Sequence, residues 1–101
     1  MTYQVRPEEC RTMDVLRAQI DLVDEELVSL LAQRTAYIDR AIALKQAEGL
    51  PARIPDRVEE VVANARRTAG KKGLDPELIE TMWRYLINWS IEREAQVIRR
   101  D

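Results

Sequence analysis

The 101-residue sequence predicts an all-α fold of three helices, the first of them very long. Three observations carry this expectation. A 3-4 spacing of apolar residues is held for more than four heptads from Met13 to Leu44. Two further segments open on proline and show helical periodicity. No segment alternates polar and apolar residues long enough to compete as a strand.

The elements follow in order. Residues 1–11 read as an irregular arm on a single domain spanning 1–101. The first helix starts at Met13, with Thr12 as N-cap, and its seam runs Met13, Leu16, Ile20, Val23, Leu27, Leu30, Arg34, Tyr37, Ala41, Leu44. Gly49, followed by Pro51, stops it. About 36 residues at 1.5 Å each give roughly 54 Å, too long to fold back on so small a domain, so the helix is expected to project and to need a partner for its seam. A second helix starts at Pro55 and ends near Gly70, with Val58, Val61, Val62 and Ala65 on its apolar face. A third starts behind Asp75 as N-cap, with Pro76 in first position and Glu77 in the first turn. Its stripe is Leu78, Ile79, Met82, Trp83, Leu86, Ile87, Ser90, Ile91, Glu94, Val97 and Ile98. Trp83 and Trp89 read as core and interface residues.

Composition narrows the function. A net charge of −2 gives no electrostatic footprint for nucleic acid or for a membrane surface. No apolar run reaches the length of a span and the start does not read as a leader, so a cytoplasmic protein is expected, in keeping with a single cysteine, Cys10. With no histidine, Ser-His-Asp and Cys-His catalysis and a His/Cys metal cluster are ruled out. Three scattered glycines make no phosphate-cradling loop. Any catalysis must therefore run without a histidine base, and neither a metal nor a cofactor is expected.

Polar residues in apolar positions mark the candidate site. Arg34 interrupts the seam, where a buried guanidinium is costly without an anion. Lys45, eleven residues on, is about 20° around and about 16 Å along the same helix, so Arg34, Ile38, Ala41 and Lys45 share a stripe that can wall an anion site. The alternative is that Arg34 sets register or reaches out to solvent. Arg17 is about 25 Å and about 100° from Arg34 on the straight helix. It is either a surface arginine or a contribution from a second chain. Glu94 on the third-helix stripe is paired, protonated or at the helix edge. Arg57, between Asp56 and Glu60, carries the weakest signal and is compatible with an ordinary surface charge.

Taken together, the segments "VLRAQIDLVDEELVSLLAQR" (Val15–Arg34), "ALKQAEGLPARIPDRVEEVV" (Ala43–Val62) and "MWRYLINWSIEREAQ" (Met82–Gln96) resemble the all-helical chorismate mutases, in the branch that includes isochorismate-pyruvate lyases. The resemblance covers Met13 to the C-terminus. It implies an intertwined homodimer acting on a chorismate-like dicarboxylate. Arg34, Lys45 and Arg57 of one chain and Arg17 of the other would line each site. Arg17 and Arg34 would take the carboxylates, and Lys45 the ether oxygen and a carboxylate. Ser90 matches a position lining the family's site, and Glu94 stands where the family usually has glutamine. Val58 and Ile54 stand where acidic residues usually hold the chorismate hydroxyl, which leans toward the lyase branch, whereas Glu94 does not match that branch. Three functions follow in order: chorismate mutase, isochorismate-pyruvate lyase forming salicylate with side mutase activity, and a non-catalytic helical dimerisation module.

Overall fold

The computed structural model describes residues 5–101 and is all-helical, with no strand among the described residues. Helix α1 spans Met13–Glu48, α2 Pro55–Lys71 and α3 Pro76–Glu94, preceded by one 3-10 turn, Pro7–Glu9. The arm is thus not wholly irregular, while residues 1–4 of it lie outside the described residues. Among the described residues no helix is long and apolar enough to cross a membrane.

Local chemistry sets the helix ends. Thr12 caps α1, its hydroxyl accepting from the Val15 amide at 3.2 Å. At the other end the Gly49 amide donates to the Gln46 carbonyl at 3.3 Å and the Leu50 amide to the Lys45 carbonyl at 2.9 Å, a Schellman closure that needs the positive φ of 72° at Gly49. The same closure ends α2, but at Gly73 and not at Gly70. The Gly73 amide donates to Gly70 and the Leu74 amide to Ala69, with φ 73° at Gly73. The helix ends at Lys71, one residue past the expected end near Gly70, and the closing glycine is Gly73. A glycine inside a helix costs only about 1 kcal/mol, and Gly70 adopts no positive φ. Asp75 caps α3 through the Glu77 amide at 2.9 Å. That helix stops at Glu94, so Val97 and Ile98 follow it in a turn. Val97 is exposed, and Ile98 packs on the core.

The chain forms two compact units, Met1–Tyr37 and Ile38–Asp101, with α1 running through both. In the first, the arm meets its own helix where the Val5 amide donates to Gln19 at 3.1 Å. In the second, α2 packs on α3 over a small core of Ala52, Val62, Ile87 and Ile91, flanked by Val58, Val61, Trp83, Ala95 and Ile98. No residue of α1 is buried. Its seam residues Met13, Ile20, Leu27 and Leu30 stay 48–54% exposed. On α3 a second apolar stripe, Leu78, Met82, Tyr85 and Trp89, is also exposed. Burying such stripes stabilises a fold by about 25 cal/mol per Å² of apolar surface.

Candidate active site

The second unit gathers the chemistry-bearing groups around the end of α1. Lys45 lies in the last turn of α1, and the Schellman closure turns the chain back into the 49–54 loop. The C-terminal segment grips that loop. The Ala52 amide donates to the Arg99 carbonyl at 2.8 Å and the Arg53 amide to the Arg100 carbonyl at 2.7 Å. Ala52 is thereby sealed into the core, and its carbonyl accepts from Lys45 Nζ at 2.8 Å.

Opposite Lys45 stands Glu94, the final residue of α3. Lys45 Nζ donates to Glu94 Oε1 at 2.6 Å. The side chains are 19% and 4% exposed, so this is a largely buried ion pair. A carboxylate in that setting is tolerable only with an opposite charge in contact. Ser90, one turn earlier, is buried as well and donates its hydroxyl to the Leu86 carbonyl at 2.9 Å.

The other sequence candidates are distributed differently. Arg57 begins α2, is exposed and pairs with Glu60. It also lines a groove of about 420 Å³ between α2 and α3 with Val61, Ala65, Ile79 and Trp83, and neither Lys45 nor Glu94 lines that groove. Arg17 and Arg34 belong to the first unit, Arg17 exposed and Arg34 half-buried. The structure therefore brings Lys45, Glu94 and Ser90 into one region.

Two elements escaped the sequence. The Ala52 carbonyl is a backbone acceptor, and no residue type announces one. The other is an ion pair between Arg93 and Asp39 beside the site. Arg93 Nε and Nη2 donate to the two Asp39 oxygens at 2.6 and 3.0 Å. That contact holds the Asp39 carboxyl below its ordinary value, the hydrogen bond being the largest cause. Elsewhere Arg84 does the same for Glu59 and Glu80, and Arg100 for Glu92.

Residues 16–100 match the family model of chorismate mutase type II. The chain belongs to this family. It is 35% identical over 82 residues to the T-protein of Enterobacter agglomerans, covering 81% of this chain but 22% of that protein. To the isochorismate pyruvate lyase of Pseudomonas aeruginosa it is 31% identical over 94 residues, 92% of this chain and 91% of that one. The 4-amino-4-deoxychorismate mutase of Streptomyces pristinaespiralis is 30% identical over 86 residues, covering 85% and 67%. The chain thus spans about a fifth of the T-protein and nearly all of the lyase. The family and the all-α architecture stand as the sequence led one to expect.

Proposed function

We propose that this chain is a chorismate mutase, converting chorismate to prephenate in the cytoplasm as a homodimer with two sites. The carrying observation is the Lys45 ammonium, held from two sides by Glu94 and the Ala52 carbonyl. Among the described residues two of its three N–H donors are engaged, which leaves one to point at a bound oxygen.

The rearrangement breaks one C–O bond as one C–C bond forms within a single molecule. No nucleophile or hydride is exchanged, so the protein's task is to hold the chair-like conformer and to stabilise negative charge growing on the ether oxygen. Lys45, fixed before substrate arrives, is a preorganised donor for that charge. Arg34 of the same chain and Arg17 of the partner chain would grip the two carboxylates with their planar forks. Arg57 would contribute a further cation and Ser90 a short polar wall. Glu94 is the second donor to the ether oxygen when protonated, because a carboxylate has no proton to give. Support for the dimer comes from the exposed seam of α1 and the exposed stripe of α3.

A second reading has its own observation. The relative matched over nearly its full length is an isochorismate pyruvate lyase. Loss of pyruvate from isochorismate can also be pericyclic and uses the same cationic cradle. Offering chorismate and isochorismate separately and identifying prephenate or salicylate decides between the two. Absence of turnover on both would leave the non-catalytic dimerisation module.

A further inference from the structure

We propose that Asp39 and Arg93 form a positioning pair that keeps Glu94 opposite Lys45. This rests on the active-site reading of Lys45 and Glu94 given above.

The geometry starts with adjacency. Arg93 directly precedes Glu94 on α3, and successive helical residues diverge by about 100°. One neighbour can thus point into the core while the other reaches the rim, and Glu94 is buried where Arg93 is 41% exposed. Both nonetheless reach α1. Glu94 meets Lys45, and Arg93 meets Asp39, six residues or about 9 Å earlier on that helix. A single tie leaves a helix end able to swing about it. Two ties separated by this distance restrict both sliding and rotation.

The two ties differ in kind. Lys45 holds Glu94 through one oxygen only, and its third donor is the one proposed for substrate. A single bond of this kind leaves the carboxylate able to pivot about it. Glu94 is also the last residue of its helix, where backbone restraint is weakest. The Arg93 fork makes two bonds to both Asp39 oxygens, which permits few orientations. Its guanidinium further lies 5.6 Å from the centre of the Trp89 ring, which restricts the side chain. This tie spends no donor on substrate and persists through the catalytic cycle. The Arg84–Glu59 pair is an internal comparator. It is equally two-pronged, at 3.1 and 3.0 Å, and joins α2 to α3, but neither partner adjoins a site residue.

The test compares Asp39→Asn and Arg93→Gln with Asp39→Glu and Arg84→Gln in the full-length protein. The two pair-breaking variants, of which Asp39→Asn is near-isosteric, should keep their dimer and helix content and lose kcat about tenfold or more, toward the ~10²-fold that an ångström of misplacement costs, with KM unchanged. Asp39→Glu, which keeps the carboxylate, should retain most of kcat, and Arg84→Gln all of it. A second readout needs no turnover. The chain has only three lysines, Lys45, Lys71 and Lys72, of which the last two are exposed. In lysine-labelled protein the protected Lys45 ammonium resonance, identified by its loss in Lys45→Met, should shift and broaden in Asp39→Asn and not in Arg84→Gln. Wild-type protein inactive on both substrates would refute the functional reading, and the resonance then decides the positioning role alone. An unchanged resonance in Asp39→Asn, or an unchanged kcat in an active enzyme, would overturn the proposal.

Discussion

Replacing Lys45 with methionine strands Glu94 in a site where it is 4% exposed. At 2.6 Å and an effective dielectric of about 20, the lost attraction is roughly 6 kcal/mol before desolvation is charged against it. Measured losses on breaking buried pairs run about 3–5 kcal/mol, because the remaining charge is uncompensated. We expect a loss in that range for Lys45→Met at pH 7. Glu94→Gln should cost less, since the amide still offers Lys45 an acceptor and Lys45 keeps the Ala52 carbonyl. Protonation neutralises a stranded carboxylate, so the Lys45→Met deficit should shrink on acidification. Adding Glu94→Met to Lys45→Met should recover much of the stability, as an apolar pair of similar volume does elsewhere. Urea unfolding followed by far-ultraviolet circular dichroism at fixed protomer concentration, at pH 7 and pH 5, measures all four proteins. A Lys45→Met loss under about 1 kcal/mol, or one independent of pH, would refute the assignment of this pair as a buried ion pair.

Other predictions concern rate, assembly and acid stability. A carboxylate has no proton to give, whereas an amide always does, so Glu94→Gln should increase turnover at pH 7; no gain would remove Glu94 as a donor to the ether oxygen. Leu27→Glu, on the exposed seam, should shift the protein toward monomer in sedimentation, whereas Val28→Glu, off the seam, should not. Inactive Arg17→Ala and inactive Lys45→Ala chains, refolded together, should regain one working site per heterodimer, and no recovery would contradict a site shared across chains. The carboxyls of Asp39, Glu59, Glu80 and Glu92 are all held low by arginine hydrogen bonds. Their folded values lie below their unfolded ones, so their stabilisation is full above the ordinary glutamate value of 4.5 and is lost as pH falls through the depressed values. Arg84→Gln should lower the urea midpoint at neutral pH, with the difference vanishing in strong acid and shrinking in high salt.

Much of the fold was legible because its signals are local. Thr12 and Gly49 bracket α1 through side-chain capping and a positive φ, both properties of a residue and its next few neighbours. Gly70 marks the end of α2 to within one residue, and only the hydrogen bonds to the Ala69 and Gly70 carbonyls select Gly73 as the terminator. In the site, Glu94 was legible as a polar residue on an apolar stripe, but its partner was not. The contact with Lys45 joins positions 49 residues apart, which periodicity does not reach. The same holds for Asp39 and Arg93, 54 apart and each ordinary on its own helix. Arg57 shows the converse, since it lies on an exposed first turn paired with its neighbour Glu60, as any helix-surface arginine can.

The incomplete burial and the incomplete site have a common cause if the proposed dimer is correct. Among the described residues six hydrophobic ones are buried, Ala52, Val62, Ala69, Ile79, Ile87 and Ile91, and all belong to the second unit. A core this small leaves α1 without stabilising burial, yet a helix in a protein draws most of its stability from a packed face. The apolar seam is the face available for that packing. Of the site candidates, Arg17 and Arg34 lie on the seam-bearing half of α1, and Lys45, Arg57, Ser90 and Glu94 lie on the core-bearing unit. A second copy laid along the seam would therefore complete the hydrophobic core and add the missing cation in one step. Folding, assembly and catalysis should then respond together to a seam substitution. Leu27→Glu contacts no proposed substrate group, so it should lose activity in proportion to the dimer it loses and recover both as protein concentration rises. Activity that survived in a verified monomer would separate the two, and would place the whole site within one chain.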